Sequence, residues 1–162
     1  MAGEGVPGAH VGHGHLKVAD LERAIAFYRD VIGMRLVRRY GPQAAFLSFD
    51  GYHHHLGLNT WQSRDGPPPL EGHTGLLHLA FVFPDRKSLG QVILRVREAG
   101  HALTGAADHG VSEAAYLNDP DGNGLELYRD RPEAEWRFEA DGTLEMINAP
   151  LDVDAMVADG RA

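Results

Sequence analysis

Hydrophobic and polar residues follow the same order in two segments of the chain, "VGHGHLKVADLERAIAFYRDVIG" (11–33) and "GLLHLAFVFPDRKSLGQVILRVREAG" (75–100). Each segment begins with the two-residue alternation of a strand and continues with the 3.6-residue period of a helix. A histidine lies five positions before the last apolar residue of each strand, His13 in the first copy and His78 in the second. This correspondence predicts an internal repeat.

The alternation also assigns the two faces of each predicted strand, because side chains two positions apart lie on the same side. One face is apolar and is expected to pack on a helix; it comprises Leu16 and Val18 in the first copy and Leu77, Leu79, Phe81 and Phe83 in the second. His13 and His78 then lie on the opposite faces. In the first copy, Asp20 is the predicted helix N-cap and Gly33 the predicted stop, and Gly100 closes the second helix.

Three short strand candidates follow each helix, at 34–40, 44–50 and 53–61 in the first copy and at 102–109, 112–119 and 124–130 in the second. The repeating unit is therefore βαβββ, and the fold class is α+β.

We expect a single domain over 1–162. It comprises module one (about 9–61), a Pro- and Gly-rich linker (62–74), module two (75–130) and a C-terminal extension (131–162). The extension has little periodicity, and its end, "DVDAMVADGRA", is expected to be loose. Its apolar residues are candidates for docking onto the modules: Trp136, Phe138, Leu144, Met146 and Ile147.

Composition narrows the possible partners and cofactors. A formal net charge of -8 argues against nucleic acid or an anionic membrane as a partner. No cysteine is present, so a metal site would have to use His, Asp, Glu or main-chain oxygen. The N-terminus lacks the pattern of a signal peptide and no apolar run is long enough to span a membrane, so a cytoplasmic location is expected.

A charged residue within an apolar strand poses the main question of the sequence. Glu126 lies between Leu125 and Leu127, directly after the turn-forming stretch "NDPDGNG" (118–124). A carboxylate in such a position is costly unless it is paired or bound to a metal. If the two modules curve around one pocket, His13, His78 and Glu126 converge as two imidazoles and one carboxylate, a donor set that suits non-haem Fe(II) or Mn(II).

The second module contains a more specific string: His109, Tyr116, Asp119, Pro120, Gly122 and Glu126. With the double βαβββ repeat, this string resembles the vicinal oxygen chelate superfamily, which includes glyoxalases, bleomycin resistance proteins and dioxygenases. Within it, the spacing is most similar to that of extradiol ring-cleaving dioxygenases of the catechol 2,3-dioxygenase type. The resemblance covers roughly residues 9–130, and it implies one cupped mixed-sheet barrel around a metal site.

The resemblance implies roles for individual residues. His13, His78 and Glu126 would bind Fe(II), with Mn(II) as the alternative metal. His54, before the run Leu56–Leu58, would be the acid/base group, and His109 and Tyr116 would contact the substrate or support the ligands. The implied substrates are a small aromatic diol and O2, and open sheet edges or the extension are expected to allow self-association.

The sequence departs from the family pattern in several places. Ala107 and Ala115 replace other residue types in the signature, and the chain has two modules where many extradiol enzymes have four. His15 shares a face with His13 and is an alternative ligand. The choice among His53, His54 and His55 as acid/base group is also open.

Other functions on the same scaffold are a glyoxalase-like isomerase, a metal-dependent thiol transferase and a drug-binding resistance protein. The first two commonly use a fourth protein ligand at the position of Gly57, which has no side chain to coordinate a metal. Drug binding requires no metal triad.

Overall fold

A computed structural model describes residues 5–161 of the chain. Its strands and helices follow the two predicted repeats and are succeeded by elements of the C-terminal extension. The strands are β1 Gly14–Lys17, β2 Arg35–Tyr40, β3 Ala44–Ser48, β4 Leu56–Asn59, β5 Leu79–Val82, β6 Leu103–Asp108, β7 Ser112–Asn118, β8 Gly124–Asp130 and β9 Ala149–Pro150. The α-helices are α1 Leu21–Ala26, α2 Arg86–Glu98 and α3 Val153–Arg161, with a 3-10 helix at Glu133–Glu135.

Module one forms a four-stranded sheet in the order β1-β4-β3-β2, with β1 parallel to β4 and antiparallel pairing elsewhere. The Asp20 side chain accepts a hydrogen bond from the Arg23 amide and so caps α1, as predicted. Helix α1 continues without a break into a π-helical segment, Phe27–Ile32. Gly33 then ends it with a φ of 94°, in the left-handed region that favours glycine.

Module two repeats this arrangement with the strand order β5-β8-β7-β6, to which β9 is added at the edge. Asp85 caps α2 by accepting a hydrogen bond from the Ser88 amide, and Gly100 follows the helix with a φ of 80°. The predicted βαβββ unit is therefore confirmed in both copies, and the predicted α+β class is confirmed with it.

A common hydrophobic core joins the two modules, and it includes Leu16, Val18, Phe81 and Phe83 as the alternation predicts. Leu77 does not join this core, because it precedes β5 and is 84% exposed.

Within residues 5–161 the two sheets remain separate hydrogen-bonded units, so no backbone ladder closes them into one barrel. They nevertheless meet at their first strands. A Cβ placed on Gly14 of β1 would come within 2.9 Å of Leu79 Cδ1 of β5. His13 and His78 directly precede these two residues, so both histidines flank the same junction.

Residues Val153–Arg161 form a helix, contrary to the expectation of a loose tail. Helix α3 packs on α2 and buries Met156 and Val157. The sequence predicts that Phe138 and Met146 dock onto the modules, but both side chains are mainly exposed. In the part of the chain that the structure describes, no helix is long and apolar enough to cross a lipid bilayer.

The contact between α2 and α3 depends on two glycines. A Cβ on Gly90 would collide with the carbonyl oxygen of Met156, and a Cβ on Gly160 would lie 2.6 Å from the Gln91 amide nitrogen. Both helices can approach closely only because these positions lack side chains.

We therefore expect Gly90→Ala to lower the free energy of unfolding by about 1–3 kcal/mol, because the methyl group overpacks the contact. In an unconstrained helix interior, the same change would instead stabilise the protein by about 1 kcal/mol. Urea denaturation measures the effect, and Gly51→Ala is the matched control because nothing lies within 4 Å of a Cβ at Gly51. A Gly90→Ala variant as stable as the wild type would contradict this account.

Candidate active site

Glu126 lies on the face of β8 opposite to the core. Its neighbours Leu125 and Leu127 are buried, whereas the Glu126 side chain is 15% exposed and turns towards His78. Glu126 Oε2 lies 3.0 Å from His78 Nε2, and parallel pairing of β5 with β8 brings the two side chains together. The strand alternation therefore explains how an apolar strand can carry a carboxylate, since the charge faces away from the core.

Tyr116 and His109 extend this pair into a chain of polar contacts. Tyr116 is the antiparallel partner of Glu126, and its hydroxyl donates to Glu126 Oε1 at 3.0 Å. His109 Nε2 lies 2.8 Å from the same hydroxyl oxygen. Burial and the neighbouring Glu126 carboxylate raise the pKa of Tyr116 to about 12, so Tyr116 remains a phenol at neutral pH.

The turn between β7 and β8 positions Glu126 at the start of its strand. Asp119 Oδ1 accepts hydrogen bonds from the backbone amides of Asp121 and Asn123, at 2.8 and 2.9 Å. Asp119 Oδ2 accepts a 2.8 Å bond from the Tyr28 hydroxyl of module one. Burial, followed by the Asp119 charge, raises the pKa of Tyr28 well above its usual range. The predicted tight turn is thus present, and it also links the two modules.

A second group of histidines lies on module one. The rings of His13 and His54 have centroids 4.4 Å apart, and Phe46 lies 4.9 Å from His54. His54 Nδ1 is also 2.7 Å from His53 Nδ1. Burial and the proximity of other histidines, His13 first, lower the pKa of His54. His54 is therefore an uncharged imidazole at neutral pH, as a proton acceptor must be.

His15 occupies a different environment from His13. Its Nε2 lies 2.9 Å from the Asn59 amide nitrogen, which donates to it. Its ring covers Gly57, because a Cβ at that position would be 2.7 Å from His15 Nδ1. The ring therefore fills the space that a side chain at position 57 would need. Burial is the main cause that lowers the pKa of His15.

The structure brings together only part of the predicted metal set. Two donors bound at about 2.1 Å and at a right angle on one metal are about 3 Å apart, which agrees with the separation of His78 Nε2 and Glu126 Oε2. His13 contacts His54 and does not join this pair. Across residues 5–161, no three His, Asp or Glu side chains are grouped closely enough to hold a metal ion.

Several residues around these groups carried no signal in the sequence. A cavity of 370 Å³ beside His78 and Tyr116 is also lined by Leu77 and Thr104. Asn59 holds the His15 ring, and the carbonyl oxygen of Ile147 contacts His109 Nδ1. Thr104 and Asn59 occupy ordinary strand positions, and the third contact uses a backbone atom, so no local pattern could have indicated them.

Residues 9–127 match the family model "Glyoxalase/Bleomycin resistance protein/Dioxygenase superfamily". The chain belongs to this superfamily, as the double repeat and the signature of the second module predicted.

Two curated relatives are named as ring-diol dioxygenases. The chain is 40% identical over 148 residues to the catechol-2,3-dioxygenase of Bacillus subtilis (strain 168), covering 91% of this chain and 51% of that protein. It is 32% identical over 120 residues to biphenyl-2,3-diol 1,2-dioxygenase 3 of Rhodococcus globerulus, covering 74% of this chain and 63% of that protein. The chain therefore spans about half of the first relative and less than two thirds of the second.

Lactoylglutathione lyase of Haemophilus influenzae (strain ATCC 51907 / DSM 11121 / KW20 / Rd) is 30% identical over 127 residues, which cover 74% of this chain and 91% of the lyase. The crystal structure of a glyoxalase/dioxygenase from Nostoc punctiforme superposes with a TM-score of 0.64 at 21% identity, covering 82% of this chain and 99% of that one. This structural similarity concerns the fold.

Proposed function

We propose that the protein is an Fe(II)-dependent extradiol dioxygenase that cleaves a catechol-type ring with O2. The observation that carries the proposal is the connected set of His78, Glu126, Tyr116 and His109, which combines two metal donors with two proton-bearing groups. The named activities of the Bacillus and Rhodococcus relatives support the same reaction.

In this proposal His78 and Glu126 would hold the metal, with His13 as the third ligand that the family resemblance implies. Fe(II), when bound, would supply Lewis-acid activation of the diol and a path for electrons from the ring to O2. The net reaction breaks a ring carbon–carbon bond beside the diol and adds both oxygen atoms to the product. Mn(II) is the alternative metal for the same donors.

The protein side chains have separate tasks in this reaction. His54 accepts a proton from the diol, because its lowered pKa leaves the imidazole uncharged at neutral pH. Tyr116 retains its proton and donates to Glu126, which fixes the carboxylate orientation. Leu77 and Thr104 line the cavity beside His78 and offer contacts for the ring or its substituents.

The lyase relative makes an isomerase the main rival function. In relatives of that kind, a fourth protein ligand commonly occupies the position of Gly57. Here His15 fills the space in front of Gly57, and the backbone there carries no side chain. This local arrangement favours a metal with three protein ligands and open positions for substrate.

Oxygen uptake by anaerobically purified, Fe(II)-loaded protein tests the proposal, with catechol and substituted catechols as substrates. We expect uptake matched mole for mole by a yellow ring-cleavage product, and no uptake when Zn(II) replaces Fe(II). Iron binding without uptake would overturn the proposal and direct attention to isomerase substrates. Failure to bind any divalent metal would also overturn it.

A further inference from the structure

The segment from Glu145 to Pro150, here called the tail segment, lies against the turn between β6 and β7. The Ile147 amide donates to the His109 carbonyl oxygen at 3.1 Å. Strand β9 then continues the contact, with Ala149 paired to Asp108 in β6. The family model ends at residue 127, so the tail segment lies beyond the part of the chain that the superfamily defines.

The tail segment also contacts the His109 ring. His109 Nδ1 lies 3.0 Å from the carbonyl oxygen of Ile147. A carbonyl oxygen only accepts hydrogen bonds, so Nδ1 must carry the ring proton in this contact. In a neutral imidazole the other nitrogen, Nε2, is then unprotonated and is available as an acceptor.

The position of the proton on His109 determines which hydrogen bonds the Tyr116 hydroxyl can form. Its hydroxyl lies between two groups, His109 Nε2 at 2.8 Å and Glu126 Oε1 at 3.0 Å. With neutral His109 in the Nδ1–H form, both neighbours are acceptors and compete for the single phenol proton. In the opposite tautomer, Nε2–H would donate to the phenol oxygen and direct the phenol proton to Glu126 alone.

We propose that the tail segment is a positioning element for the reaction, in which Ile147 holds His109 as the Nδ1–H tautomer, so that Nε2 is a second acceptor beside Glu126 for the single Tyr116 proton. The inference rests on the proposed function, because the contact acts on Glu126 through Tyr116. The tail segment thereby sets how the Tyr116 proton is shared between His109 and Glu126, the proposed metal ligand.

Ring-nitrogen NMR of metal-free wild-type protein labelled with 15N-histidine tests the tautomer directly. A His109→Gln variant assigns the His109 signals by their disappearance. We expect the neutral His109 ring to be in the Nδ1–H form. A predominant Nε2–H form would overturn the proposal, whether or not the protein proves to be a dioxygenase, since this measurement requires no metal or turnover.

Variants of Ile147 test the effect on the reaction. Ile147→Pro removes the amide that donates to the His109 carbonyl, whereas Ile147→Ala keeps it and is the matched control. We expect Ile147→Pro to shift His109 towards a mixture of tautomers and to lower kcat of the Fe(II) protein about tenfold, because Tyr116 then loses the second acceptor that holds its hydroxyl in place beside Glu126. Ile147→Ala should retain the tautomer and most of the activity.

A double-mutant cycle separates positioning from general damage to the fold. In a His109→Gln background, Ile147→Pro and Ile147→Ala should have equal kcat if the tail segment acts through His109. A remaining tenfold difference, or an unchanged tautomer in Ile147→Pro, would overturn the proposal. If the protein shows the expected tautomer but no oxygen uptake, the proposed function fails while the contact itself stands.

Discussion

Replacement of Glu126 by Gln should lower the affinity of the protein for Fe(II) by at least about 100-fold. Loss of a group that merely orients a ligand costs 10–100-fold in metal affinity, so loss of the ligand charge should reach or exceed the upper end of that range. The amide has nearly the same shape as the carboxylate, but it supplies no negative charge and presents an NH2 group at one of the two oxygen positions. Iron content after anaerobic dialysis, together with titration calorimetry, measures the change.

Two further variants make this test specific. Glu133→Gln removes an exposed carboxylate from the 3-10 helix and should leave iron binding unchanged. Tyr116→Phe removes the hydrogen bond to Glu126 and keeps the ligand itself, so its effect should be smaller, about 10–100-fold. Iron binding by Glu126→Gln equal to that of the wild type would remove Glu126 from the metal set.

His54→Asn should lower kcat for ring cleavage by about 10²–10⁴-fold, the usual contribution of a general acid–base group. His54 is half-buried between His13 and Phe46, where burial keeps the imidazole uncharged and available to accept a proton. We expect the variant to bind iron like the wild type, because His54 is not one of the proposed ligands. Steady-state oxygen uptake and iron analysis on the same samples measure both properties.

The neighbouring histidines provide the comparison. His55 Nδ1 lies 3.0 Å from Ser48 Oγ, so the His55 ring is already held by a hydrogen bond to the end of β3. His53 is exposed. We expect less than a tenfold loss of kcat for His53→Asn, and no loss for His73→Asn in the exposed linker. A larger loss in His53→Asn than in His54→Asn would assign the acid–base role to His53. Loss of iron from the His54→Asn variant would instead indicate that His54 is a metal ligand.

The local features of the fold were predictable because short-range chemistry determines them. Two-residue and 3.6-residue periods placed the strands and helices, and capping aspartates and left-handed glycines marked the helix ends. Asp119 and its turn were predictable for the same reason, since an Asp side chain bonds the backbone amides that follow it. Strand alternation likewise explains why Glu126 faces away from the core between buried Leu125 and Leu127.

The formation of helix α3 at the end of the C-terminal extension could not be predicted in this way. Helix α3 is stabilised by its close contact with α2 at Gly90 and Gly160, which are 70 positions apart in the sequence. The link between His109 and the Ile147 carbonyl is also long-range and uses a backbone atom that any residue could supply. No local period or motif reports such contacts.

The sequence by itself determined the double βαβββ repeat, the superfamily and the side-chain chemistry of the proposed ligands His13, His78 and Glu126, since these follow from residue identity and spacing. Only the tertiary structure decided which neighbours each histidine meets. His13, His15, His53, His54 and His55 have the same side-chain chemistry, and they differ only through what packs around them. Strand pairing and side-chain packing join His78 to Glu126, Tyr116 and His109, because these contacts bring together residues as far as 48 positions apart in the chain.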